Sequence, residues 1–100
     1  MDRSDTINLI SETYTTDSIG RRIPVETSRM VFCSIGSITQ SEFFEAGQSG
    51  ISPEYRVTMN DTEYNGEKIA ELNSVRYGIY RTFRRKNELI ELYLERKVGV

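Results

Sequence analysis

The side chains here that could do chemistry are fifteen Asp or Glu, thirteen Lys or Arg, six Tyr and a single Cys, with no His at all. Cys33 lies in the apolar run Met30-Val31-Phe32-Cys33-Ser34-Ile35. As a nucleophile it needs a base, and without an imidazole the usual partner is missing, so it reads as a small buried hydrophobe. Zinc and other nitrogen or sulfur metal sites fail for the same reason, and one cysteine cannot form a disulfide within the chain. The carboxylate pairs Asp61 with Glu63 and Glu91 with Glu95 fall in an expected turn and on an expected exposed strand face, which suits solvation better than acid-base work. The glycines at 20, 36, 47, 50, 66, 78 and 99 form neither GxxxxGK nor GxGxxG, so a phosphate loop is not expected. These readings make the chain a non-enzyme with no cofactor.

One constellation reads as a binding surface. Arg81-Thr82-Phe83-Arg84-Arg85-Lys86, with Tyr77, Tyr80 and Tyr93 nearby, resembles the basic and aromatic face with which small barrels bind single-stranded nucleic acid. Against that reading stands an acidic chain of net charge −2, in which exposed charges at a strand end and turn are ordinary. Charge is uneven along the chain: residues 1 to 75 carry six Lys or Arg against twelve Asp or Glu, and residues 76 to 100 carry seven against three. Such halves favour head-to-tail packing of identical copies, the alternative being a sheet with one basic strand.

The elements that must position these groups are mostly strands. One hundred residues with 37% hydrophobic content can build one core, hence one domain. Thr6 to Thr16 is rich in β-branched residues and reads as a first strand. Asp17-Ser18-Ile19-Gly20 supplies a turn, and Arg21 to Thr27 resumes an extended pattern in which Pro24 marks an edge or bulge. Met30 to Ile38 is a second long extended run, with Gly36 expected at a bend. Thr39-Gln40-Ser41-Glu42 matches a capping box, in which Thr39 caps the helix and Glu42 returns the bond, so a short helix from Gln40 to about Gln48 is expected, with Gly47 and Gly50 as its exits. Its Phe43 and Phe44 must dock on the sheet or on a neighbour. Tyr55, Val57 and Met59 alternate as a strand, Asn60 to Gly66 is a polar turn region, and Ile69 with Leu72 mark a short strand. Asn73-Ser74 and Lys86-Asn87 make turns around the strand of Val75, Tyr77 and Ile79. The closing strand places Ile90, Leu92 and Leu94 inward, with Glu91, Tyr93 and Glu95 on the opposite face. The expected fold is mainly β, a small antiparallel β-barrel or sandwich with one short helix in a long loop between strands. No run approaches the ~18 apolar residues of a membrane-spanning helix, and the N-terminus lacks the apolar centre of a signal peptide, so cytosol-like conditions are expected.

The segment Ser41-Glu42-Phe43-Phe44-Glu45-Ala46-Gly47-Gln48-Ser49-Gly50-Ile51-Ser52-Pro53-Glu54 resembles the SEFxxAGQxGxxPE signature of the phage head-tail adaptor family, also called head closure or stopper proteins. Tyr64-Asn65-Gly66-Glu67, Tyr77-Gly78-Ile79-Tyr80-Arg81-Thr82-Phe83 and Ile90-Glu91-Leu92-Tyr93-Leu94-Glu95-Arg96-Lys97 agree with it in order and spacing. The least similar part is Met1 to Met30. The resemblance implies a virion protein of the neck of long, non-contractile-tailed phages or their prophage relatives, made in the host cytoplasm and assembled as a ring below the portal. Its partners would be further copies of itself, the portal-associated adaptor, the tail completion or terminator protein, and packaged double-stranded DNA, held without sequence preference. The insertion from Thr39 to Pro53 would gate the channel, through Ser41, Glu42, Phe43, Phe44, Glu45, Gly47, Gln48, Gly50, Pro53 and Glu54. Contacts with other subunits or partners would fall on Arg81, Arg84, Arg85, Tyr93, Arg96 and Lys97.

Overall fold

A computed structural model describes residues 5 to 96. Its six strands are β1 (Asp5–Thr16), β2 (Arg22–Gly36), β3 (Pro53–Asn60), β4 (Ile69–Leu72), β5 (Val75–Arg84) and β6 (Leu89–Arg96), with one helix, α1 (Gln40–Gln48), between β2 and β3. They close into an antiparallel barrel in the order β1-β2-β3-β6-β5-β4. Closure follows from alternation: Ile7 and Leu9 on β1, Val31 and Cys33 on β2, Val57 and Met59 on β3, and Ile90, Leu92 and Leu94 on β6 point to one interior. A barrel leaves these residues no solvent-exposed face, and Leu92 and Leu94 are fully buried.

β1 and β2 outrun the barrel. They pair continuously from Asp5 with Cys33 to Thr16 with Arg22, yet β4 covers only Asn8–Ile10 of β1 and β3 covers only Ser34–Gly36 of β2. Their far ends form a two-stranded arm, and the molecule measures 51 × 31 × 24 Å. Pro24 sits opposite Tyr14 on this arm, where β2 has an open edge that does not require its missing N–H. Asp17 makes the tip: its Oδ1 accepts from the amides of Ile19 (3.0 Å) and Arg21 (2.8 Å), and Gly20 takes the positive φ of 87°. Arg76 ties the arm to β5 by two bonds to Glu26, at 2.8 and 2.7 Å.

Three expectations change. The two extended runs around Ser28 are one strand of 15 residues, because β1 supplies an unbroken ladder. Gly36 ends β2 beside Arg56 and makes no interior bend. β6 is covered on both faces from Ile90 to Leu94, so Glu91 and Tyr93 are buried as well as their inward neighbours. Side chains reaching over the outside of β6 cover the second face.

Candidate functional site

α1 begins and ends on recognisable local chemistry. The Thr39 hydroxyl accepts from the amide of Glu42 at 3.3 Å. At the other end Gly50 takes a φ of 78°, the amide of Ile51 donates to Ala46 O at 3.1 Å and that of Gly50 to Gly47 O at 3.1 Å, a Schellman closure. Gly47 stays helical, so only one of the two glycines is needed for the exit. Ala46 is the buried residue of the helix, while Phe43 and Phe44 are 54% and 61% exposed and meet each other edge to face at 6.5 Å. Neither ring plugs the barrel.

Glu42 does not return the capping bond. Its carboxylate crosses to β5, where it accepts from the Tyr80 hydroxyl at 2.8 Å and from the Arg81 guanidinium. Two consecutive strand residues ordinarily point to opposite faces. Here Ile79 pairs with Leu94 and Arg81 with Tyr93, so a bulge at Tyr80 turns both side chains outward. Arg81 also lies over the Tyr93 ring at 4.0 Å from its centroid, and Tyr80 packs against the same ring at 6.2 Å. Beneath, the Tyr93 hydroxyl donates to Glu91 at 2.7 Å, and Arg85 approaches the other oxygen of Glu91 at 3.3 Å. Burial pushes the Glu42 carboxyl up, but the bonds from Arg81 and Tyr80 outweigh it and hold the group below the usual carboxylate range. Burial and the Glu42 bond push Tyr80 well above the ordinary tyrosine value. The cluster therefore stays ionised as Glu42 minus and Arg81 plus at neutral pH, with neither group placed to shuttle a proton.

A second polar cluster closes one mouth of the barrel. Arg29 donates to Glu67 at 2.8 Å, the Tyr64 hydroxyl donates to Glu67 O at 2.6 Å, the amide of Asn65 donates to Glu67 Oε1 at 2.9 Å, and Arg84 pairs with Asp61 at 3.2 Å. At the other mouth lies an open cleft of about 490 Å³ lined by Asp5, Thr6, Ile35, Tyr55, Leu72 and Asn73. Cys33 is fully buried, and burial with the nearby Asp5 charge pushes its thiol up to about 11, which suits an inert core residue. Among the described residues no group of three His, Cys, Asp or Glu is placed to hold a metal, and no helix is long and apolar enough to cross a membrane.

The expected residues are thus distributed unevenly. Ser41, Glu45, Gly47, Gln48 and Gly50 are exposed on or beside α1, Pro53 is buried at the start of β3, and Glu54 is exposed at an irregularity in β3. The expected contact residues Arg81, Arg84, Arg85 and Tyr93 are engaged inside the chain, Arg96 is exposed, and Lys97 lies outside the described residues. Part of the uneven charge is met internally: Arg76, Arg81 and Arg84 from the basic end pair with Glu26, Glu42 and Asp61 from the acidic part. Sequence reading missed the Glu42–Tyr80–Arg81 convergence, because only the bulge brings Tyr80 and Arg81 to one face.

No family model matches the chain, and no curated protein matches it in sequence. The solution structure of protein SF1141 from Shigella flexneri 2a is similar, with a TM-score of 0.77 at 11% identity over 96% of this chain and 94% of that one. At that identity the likeness is one of fold.

Proposed function

We propose that this chain is a structural neck protein of a tailed phage or prophage, a head closure protein that forms a ring below the portal, retains packaged DNA and joins head to tail. The observation that carries the reading is the helix-bearing insertion: it stands on the outside of a closed barrel, held by one polar cluster, with Phe43 and Phe44 uncovered. An exposed aromatic pair on a short helix is costly to keep in water and suits a surface that is covered in an assembly. The resemblance of residues 41 to 54 to the adaptor signature supports the same role. Enzymatic chemistry has less support, since the carboxylates of both polar clusters are tied up in ion pairs within the chain.

The reading as a single-strand binder through residues 77 to 86 is also weaker. Tyr77 is buried against the core, Tyr80 and Tyr93 are covered or bonded, and Arg81, Arg84 and Arg85 already hold carboxylates. Only Phe83 presents an exposed ring there. Deleting the gene from its phage tests the proposal: heads that lose their DNA and separate, complete tails are expected, and normally joined virions would refute it.

A further inference from the structure

We propose that the cradle of Tyr80, Arg81 and the Tyr93 ring is a carboxylate receptor for α1 of a second copy of this chain, so that neighbouring barrels exchange the helix and its Glu42. The seat is displayed with its ligand in place: a guanidinium and a hydroxyl converge on one carboxylate, and the bulge at Tyr80 exists in the strand that receives the helix, not in the one that delivers it. Charge complementarity therefore names the occupant. The same seat serves an α1 from its own chain or from a neighbour with identical contacts, which is the condition for exchange of an element.

Three features favour delivery in trans. In its own chain α1 buries only Ala46, so little apolar packing binds it to the parent barrel. The links from β2 to α1 and from α1 to β3 are only residues 37 to 39 and 49 to 52, and short hinges promote swapping where they strain the closed chain. Phe43, Phe44 and, on the seat strand, Phe83 are all exposed in the single chain. Exchange sets two barrels side by side next to these rings and so gives them a surface to cover. The inference rests on the ring proposal only in expecting copies to meet; exchange can fail while the neck role stands.

A charge-swap experiment decides it. Glu42→Arg in one full-length preparation and Arg81→Glu in another each place like charges in the seat of a single chain. Mixed and refolded together, the two complement each other only across chains. The expected result in native mass spectrometry is assemblies containing both variants, at concentrations where each alone is monomeric. The chain carrying both changes should regain the wild-type protection of the α1 amides against hydrogen exchange. A mixture that stays monomeric, that fails to fold, or that associates no more than either variant alone would overturn exchange.

Discussion

Glu67→Ala is the sharpest test of how the barrel mouth is held. The Glu67 side chain is 6% exposed and its partner Arg29 is 39% exposed, at 2.8 Å. A hydrogen bond to a charged group contributes about 1.5–3 kcal/mol, and solvent screening at the exposed arginine brings this one down to about 1. Loss of the acceptor also removes the bond from the amide of Asn65, now at 2.9 Å, for about 1 kcal/mol more. The alanine variant should therefore lose about 2 kcal/mol, or ~8–16 °C in Tm for a chain of this size, and Glu67→Gln, which still accepts from Asn65, about 1 kcal/mol. Burial pushes the Glu67 carboxyl up, but Arg29 and the amides of Glu67 and Asn65 hold it below the usual range. The unfolded chain thus binds this proton more readily, so the stabilisation is full above the unfolded value of about 4.3 and is lost as pH falls through the lower folded value. Thermal unfolding followed by circular dichroism at neutral pH and below pH 4 reads both effects. A Glu67→Ala loss under ~0.5 kcal/mol, or a glutamine variant with the same acid sensitivity as the wild type, would refute the reasoning.

Leu92→Ala empties a fully buried site on β6 and should cost about 2–5 kcal/mol in denaturant unfolding. Gly47→Ala, at a helical position with open space around the new methyl, should stabilise by about 0.5–1 kcal/mol, whereas Gly50→Ala, at a φ of 78°, should destabilise by about 1 kcal/mol; equilibrium unfolding compares them. Ser74→Gly relieves a positive φ of 65° in the β4–β5 turn, and a gain of about 0.5–1 kcal/mol is expected in the same assay. Cys33 should ignore thiol reagents in the native protein and react once denatured, as its burial and raised thiol dictate.

The amino-acid sequence by itself determined the strand-rich architecture, because alternation such as Ile90-Glu91-Leu92-Tyr93-Leu94 selects the inward side wherever one face is buried. It also determined α1, since Thr39 and Gly50 act within one turn of their own positions. The tertiary structure decided what depends on neighbours distant in sequence. Alternation marks which residues face in but is silent on what covers the other side, so the burial of Glu91 and Tyr93 had to await Arg81 and Arg85 lying over them. Glu42 shows the same limit: spacing offered it a local amide, yet a hydroxyl and a guanidinium thirty-eight and thirty-nine residues away in sequence provide more stabilisation and take it. One extra residue in β5 sets that geometry, and no pattern of period two can reveal it.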